Sequence, residues 1–200
     1  KEIDRALLDG AIDIAVHSAK DMETWLPDGI VIGAALEREN PRDALIGAAS
    51  IADIPRGGKV GTASLRRQAQ LLAVRPDLVP VLFRGNVDTR LRKLAAGEAD
   101  ATFLALAGLN RLGKAEAADA ILDINEMLPA AGQGVIAIAH CTDHAGAAAA
   151  MAPLNHAPSL TCLRAERAML DALDGTCRTP IGALAQLVEG RLSLDGMVSW

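Results

Sequence analysis

Two hundred residues, 50% hydrophobic and 22% charged, are globular composition with room for real cores, which excludes a disordered chain and a disulfide-stapled miniprotein. A formal net charge of −5 offers no basic field for nucleic acid or an anionic membrane surface, and no apolar run approaches the length of a membrane span. Three cysteines, Cys141, Cys162 and Cys177, without a Cys-x-x-Cys spacing or a secretory leader, predict free thiols and a cytoplasmic protein. Only 2% of residues are aromatic, so the core is built from small aliphatic side chains that suit helices laid on a sheet.

In chain order, a first helix carrying Ile3, Leu7 and Leu8 ends at Gly10, and the alternation Ala11–His17 predicts a strand. The turn Leu26-Pro27-Asp28-Gly29 leads to a second strand over Ile30–Leu36. A charged crossing, Glu37–Asp43, reads as a hinge into another unit. Short strands follow at Ala44–Gly47, Lys59–Gly61, Val79–Phe83 and Ala101–Leu106. Between them, Thr62–Val74 is helical, capped by Thr62 or Ser64, stopped by Pro76, with Leu65, Ala69 and Leu72 on one face. Asn86–Ala96 is helical with Val87, Leu91 and Leu94 on one face and Gly97 past its end. Strands alternating with helices predict a largely parallel sheet. Gly134–Ala139 is a further strand after the glycine-rich turn 130–134, and the alanine run 147–150 suits a helix. After a linker at 153–158, a helix carrying Leu160, Leu163, Leu170 and Leu173 ends at Gly175; the loop 176–180 and a hairpin, 183–188 with 191–194, complete the chain.

The arginines carry the chemistry. Arg66 and Arg67 stand in the first turn of a helix, where cations oppose the macrodipole by roughly 0.3–1 kcal/mol each when exposed. The same helix end offers backbone N–H groups and the Thr62 and Ser64 hydroxyls, which together make an anion site. Arg84 follows a strand, Arg90 lies one turn into the next helix, and Arg111 follows the strand 101–106. The carboxyl ends of strands in an open α/β sheet are where ligands bind. Five arginines at that edge point to a polyanionic ligand with planar acid groups, although each one alone is as readily explained by a surface ion pair with Asp88, Glu98 or Asp100. His17-Ser18-Ala19-Lys20-Asp21 also follows a strand, and Lys20 beside Asp21 reads first as a solvated pair.

Three lookalikes fall away or stay open. Gly108–Lys114 has Walker A spacing, but Ala115 replaces the hydroxyl that magnesium needs. His140-Cys141-x-x-His144 lacks a fourth zinc ligand. Cys177, beside Arg178, is a candidate nucleophile on spacing alone.

Ala15–Asp21, Arg38-Glu39-Asn40-Pro41-Arg42-Asp43, Val60–Gln70, Arg84-Gly85-Asn86-Val87-Asp88-Thr89-Arg90-Leu91, Ala107–Gly113, Gly132-Gln133-Gly134 and Gly175-Thr176-Cys177-Arg178-Thr179-Pro180-Ile181-Gly182 resemble, in that order, the signatures of the porphobilinogen deaminase (hydroxymethylbilane synthase) family. The resemblance implies an α/β fold of two lobes like type 2 periplasmic binding proteins, with the active cleft between them and a small third α+β domain. It divides the chain into domain 1 (1–38 and 132–152), domain 2 (40–128) and domain 3 (157–200). It also implies an enzyme that joins four porphobilinogen molecules head to tail, losing ammonia each time, to give hydroxymethylbilane. The chain grows on a dipyrromethane cofactor held by a thioether, here to Cys177. The family's cofactor contacts fall on Lys20, Ser18, Thr62, Ser64, Arg66, Arg67 and Arg84, its substrate contacts on Arg90 and Arg111, and its catalytic aspartate on Asp21. No metal is implied, nor any nucleic acid or membrane partner, and the expected state is a cytoplasmic monomer. A buried carboxylate at Asp21 would stabilise the cation left when ammonia departs.

Two departures shape the expectation. The family's opening strand and helix, with a Gly-Thr-Arg-x-Ser-x-Leu-Ala motif, have no counterpart, and the C-terminal domain stops at Trp200, so the chain is expected to be truncated at both ends. Glu23 and Ala63 replace a usual proline and serine without touching the chemistry. Two alternatives are a small-anion binding protein sharing only the two-lobed fold, and a truncated remnant without activity.

Overall fold

The structure, a computed structural model, describes residues 2–176 and 179–199; Cys177 and Arg178 lie outside the described residues. By contacts the described chain divides into two compact units, 2–39 with 131–176 and 183–195, and 40–130 with 179–182 and 196–199.

In the first unit, α1 (Glu2–Leu8) precedes β1 (Ala15–Ser18), followed by β2 (Ile30–Ala35). The strand expected to begin at residue 11 begins four residues later. Residues 11–14 turn back on α1, with Ala11 and Ile12 N–H donating to Ala6 O, and the partner strand reaches only Ala15. That partner comes from far along the chain. Numbered after the five strands of the second unit, β8 (Ile136–Cys141) runs antiparallel to both β1 and β2, giving the order β1-β8-β2. The register slips at Gly33, whose missing Cβ would sit 2.5 Å from the His140 ring. The helices α5 (Ala145–Met151) and α6 (Ala157–Ala172) follow. Leu7, Ala15, Ala19, Met22, Ile30, Val135, Ala137, Leu160 and Leu163 form the core of this unit.

In the second unit, β3 (Asp43–Ile46), β4 (Lys59–Gly61), β5 (Val79–Val81), β6 (Ala101–Ala105) and the two-residue β7 (Ala120–Ile121) make a sheet in the order β5-β4-β6-β3-β7. The expectation of a largely parallel sheet fails here as in the first unit: β4 is parallel to β5 and β6, but β3 is antiparallel to β6 and β7. The strand after the crossing enters the sheet against the direction of the βαβ units, so the sheet is mixed. Three helices, α2 (Leu65–Val74), α3 (Val87–Ala95) and α4 (Leu106–Arg111), follow β4, β5 and β6. Asn86 caps α3 by accepting from Thr89 N–H at 2.9 Å, and Val87, Leu91 and Leu94 pack on Ala44, Ile46, Leu104 and Leu109, as their spacing predicts. Of the Walker-like stretch 108–114, Gly108–Arg111 lie within α4 and 112–114 in the turn after it, so the stretch forms no phosphate loop.

The hairpin is longer than its sequence pattern, β9 (Ile181–Val188) and β10 (Arg191–Val198), turning at Glu189 and Gly190, both with positive φ. By contacts α6 groups with the first unit, Leu160 and Leu163 being part of its core.

One buried carboxylate binds four segments of the first unit. Glu166, on α6 and fully buried, accepts from the Arg38 guanidinium, from Gly132 N–H at 2.6 Å and from Ala185 N–H at 2.7 Å. Arg38 also donates to Gln133 O, which ties the charged crossing to the glycine turn. That turn needs its glycines: Gly134 has φ +89, and a Cβ there would meet Glu39 O at 2.2 Å. Removing one partner of a buried pair strands the other charge and the two N–H donors. Glu166→Ala is therefore expected to lower unfolding free energy by about 3–5 kcal/mol, and Glu166→Gln by less, in urea titrations.

Candidate functional site

In the first unit the relevant turn follows β1 and is a short 3-10 helix, Ala19–Asp21. Ala19 and Met22 take its inward positions, Ala19 N–H donating to Val135 O at 2.9 Å. This leaves Ser18 and Lys20 half-buried and Asp21 exposed. Asp21 is therefore not the buried carboxylate expected: both inward places in the turn are occupied by apolar side chains. Ser18, Lys20 and Asp21 are brought onto one turn.

In the second unit, β4, β5 and β6 run parallel, so α2, the segment carrying Arg84 and α4 all leave the sheet at one edge. The backbones of Thr62, Ser64, Arg66, Arg67, Arg84 and Arg111 lie along it, with Arg90 on α3. Their side chains differ. Ser64 is the α2 cap and accepts from Arg67 N–H, while the fully buried Thr62 accepts from Ser64 N–H at 3.1 Å. Arg84 is exposed; Arg90 is half-buried and donates through Nε to Gly85 O at 2.9 Å; Arg111 is exposed at the end of α4.

Arg66 and Arg67 do not stand out in solvent as the helix-end reading expects. Both are buried, each 4% exposed, and both reach Asp43 at the start of β3. Arg67 Nε and Nη2 donate to the two Asp43 oxygens at 3.1 and 2.7 Å, and Arg66 Nη2 donates to Oδ2 at 2.8 Å. Arg67 Nη1 then donates to Phe103 O at 3.0 Å and Arg66 Nη1 to Leu128 O at 2.5 Å. Gln70 closes the same face, exchanging hydrogen bonds with Leu128 N–H and C=O. The inner face of α2 is thus Arg66, Arg67, Gln70 and Leu71, while Leu65 and Leu72, expected inside, are 45% and 36% exposed. Two guanidinium groups paired with a buried carboxylate outweigh two leucines in setting the helix phase.

Asp43 is the residue that sequence reasoning missed, having read it only as part of a charged crossing. Burial alone would raise its pKa, but the Arg66 and Arg67 charges and hydrogen bonds hold it well below the usual carboxylate range. A depressed folded pKa stabilises the protein fully above the ordinary carboxylate pKa, and the contribution is lost as pH falls below it. The stability gap between wild type and Asp43→Asn is thus expected to be widest at neutral pH and to narrow below about pH 4 in pH-resolved urea unfolding.

Within this buried cluster Arg66 Nε has no hydrogen-bond partner. An acid-bearing ligand fits this donor set. The other sequence lookalikes are accounted for locally: His144 pairs with Asp13 at 2.8 Å, the His140 ring bonds Cys141 O, and Cys141 and Cys162 are free thiols. Among the described residues no group of His, Cys, Asp and Glu is placed to hold a metal, and no helix is long and apolar enough to cross a membrane.

Comparison with known proteins bears on both units. Residues 1–149 match the family model described as porphobilinogen deaminase, dipyromethane cofactor binding domain, and residues 160–200 match the porphobilinogen deaminase C-terminal domain. A porphobilinogen deaminase of Chromobacterium violaceum is 49% identical over 201 residues, covering 100% of this chain and 65% of the relative. Those of Nitrobacter hamburgensis and Paracoccus denitrificans are 53% and 51% identical, covering 99% of this chain and 63% and 64% of the relatives. The chain thus spans slightly less than two thirds of the relatives' length. A Bacillus subtilis lipoprotein described as methionine-binding shares the fold, with TM-score 0.52 and 16% identity over 80% of this chain and 77% of its own. A two-unit α/β fold, seven signature motifs in order and identity near one half along the whole sequence have one common explanation: the chain belongs to the porphobilinogen deaminase family.

Proposed function

We propose that this chain carries the hydroxymethylbilane synthase activity of its family, deaminating porphobilinogen and condensing four molecules head to tail. The observation that carries the reading is the donor-rich edge of the second unit, where a buried guanidinium pair leaves Arg66 Nε without a hydrogen-bond partner and Arg84 is exposed. When bound, dipyrromethane supplies the pyrrole carbon from which chain growth starts. Cys177 would hold it through a thioether, and Lys20, Ser18, Thr62, Ser64, Arg66, Arg67 and Arg84 would hold its acetate and propionate arms. Arg90 and Arg111 would receive the arms of incoming porphobilinogen. Charge-assisted bonds from planar guanidinium groups suit such carboxylates because two donors meet two oxygens.

Asp21 is the catalytic residue of this reading. Breaking the carbon–nitrogen bond releases ammonia and leaves a positive ring; forming the carbon–carbon bond creates a second cation that must lose a proton. An ionised carboxylate stabilises both and accepts or relays that proton. The exposed position of Asp21 on a turn pinned by Ala19 and Met22 leaves it open to a substrate. The proposal includes three domains, with 157–200 as the third, and a cytoplasmic monomer acting without nucleic acid or membrane. Incubation with porphobilinogen tests it: one ammonia released per pyrrole consumed, with a linear tetrapyrrole as product, is the expected result. Saturable binding without ammonia release would instead identify an anion-binding protein.

A further inference from the structure

Residues 23–26 lie outside any helix or strand, yet three side chains seam them to the end of α6. Arg167 Nη2 donates to Glu23 O and Thr24 O at 2.8 and 2.7 Å, and Trp25 Nε1 donates to Asp171 Oδ1 at 2.6 Å. The Thr24 hydroxyl donates to Gly175 O at 2.6 Å. Positions 167 and 171 are one turn apart on the same helix face, and Gly175 stands just past the helix end. Gly175 is fixed from both sides. Its N–H donates to Leu170 O at 2.7 Å and Asp174 N–H to Asp171 O at 3.1 Å, the paired bonds of a Schellman turn around the cap residue Leu173. Such a turn needs a left-handed residue, normally glycine, and here it is Asp174 with φ +48. A residue with a side chain keeps that conformation where its surroundings over-determine it, and the Thr24 bond to the next peptide is one such constraint.

The two ends of this seam have telling neighbours in the sequence: Thr24 comes three residues after Asp21, and Gly175 two residues before Cys177. We propose that Thr24 is a positioning residue whose hydroxyl sets where the cysteine loop begins relative to the Lys20–Asp21 turn. Arg167 and Trp25 hold the loop that presents it. Thr24 touches neither substrate nor cofactor and acts through Gly175. Two residues of chain reach at most about 7 Å, so an anchor at Gly175 limits how far a thioether at position 177 can stray from the Asp21 carboxylate. The inference deepens the functional reading above and rests on it.

The test compares Thr24→Val, which keeps the shape and removes the hydroxyl, with Thr24→Ser, which keeps the hydroxyl. Amide hydrogen exchange on peptides containing Gly175 and Thr176 reads the anchor itself and needs no turnover. Exchange is expected to be about fivefold faster in Thr24→Val, the worth of one ordinary hydrogen bond, and within about twofold of wild type in Thr24→Ser. Steady-state ammonia release reads the consequence. In Thr24→Val kcat should fall roughly tenfold with KM changed by less than about twofold, because a displacement of about 1 Å suffices for such a loss. Thr24→Ser should restore kcat. A merely structural Thr24 would lower the urea midpoint and leave kcat unchanged, which overturns the proposal. Unaltered exchange in Thr24→Val overturns it too, as does a kcat that Thr24→Ser leaves low. Should Thr24→Val fail to fold, Trp25→Phe decides, since it removes only an N–H from an exposed ring. Faster exchange at 175–176 with lowered kcat and unchanged KM supports the proposal, and no change in either overturns it. Intact mass of the wild-type protein separates the two levels. Absence of a pyrrole adduct overturns the functional reading, whereas an adduct-bearing protein whose kcat ignores Thr24→Val overturns this inference alone.

Discussion

Cys177→Ala is expected to yield protein without the covalent dipyrromethane adduct and with turnover at background, while wild type carries the mass of two linked pyrroles. The expected effect is all-or-none because a thioether is a covalent tether: without the sulfur, a primer held only by its acid arms would leave with the product. The thiolate is the attacking form of cysteine, so adduct formation in the apo-protein should accelerate with pH as the Cys177 thiol ionises. Intact mass spectrometry reads both results. A Cys177→Ala protein that still carries two pyrrole rings would move the attachment to another residue, Cys141 and Cys162 being the described free thiols.

The second large effect is at Asp21. Asp21→Asn keeps the shape of the side chain and removes its charge, so it isolates electrostatic stabilisation of the positive ring from packing. Loss of one preorganised group of this kind costs roughly 10²–10³ in kcat. KM should change little, because the substrate's arms are gripped by arginines, and binding shared equally by ground and transition states does not pass through Asp21. Stability should also stay within about 0.5 kcal/mol, since Asp21 is exposed and the turn is held by Ala19 and Met22. Asp21→Glu retains the charge at a longer reach and should recover part of the rate. Steady-state kinetics of ammonia release distinguish the cases; unchanged kcat in Asp21→Asn would remove the residue from the mechanism.

Both predictions concern residues legible in the sequence, and the contrast with Asp43 shows where legibility stops. α3 could be read because its signals are local: a cap at Asn86, an apolar stripe at Val87, Leu91 and Leu94, and Gly97 beyond the end. α2 has equally local signals, and its limits were readable from Ser64 and Pro76, but its rotation was not. The apolar stripe points Leu65 and Leu72 inward; a carboxylate 23 residues away in sequence points Arg66 and Arg67 inward instead. Long-range pairing of buried charge overrides local hydrophobic periodicity, and one sequence contains no local trace of it. The same limit applies to the sheets. β1 and β2 read as strands, but their shared antiparallel partner β8 arrives from more than a hundred residues downstream, and β7 is too short to show a period. The Ser18–Asp21 turn was locatable from its place after a strand, and its exposure was not, because the inward places belong to small apolar residues between the polar ones. Glu166 was invisible for the same reason as Asp43: its three donors, Arg38, Gly132 and Ala185, are scattered along the chain.

The account stands on growth of an acid-bearing pyrrole chain while it is bonded to this protein. Adding porphobilinogen in substoichiometric amounts and recording the intact protein mass within the first turnovers tests that directly. The account predicts a ladder of discrete species, each heavier by one deaminated ring and ending at four rings above the primer. A single unchanging mass during substrate consumption, or none of the protein bearing pyrrole at all, would contradict it.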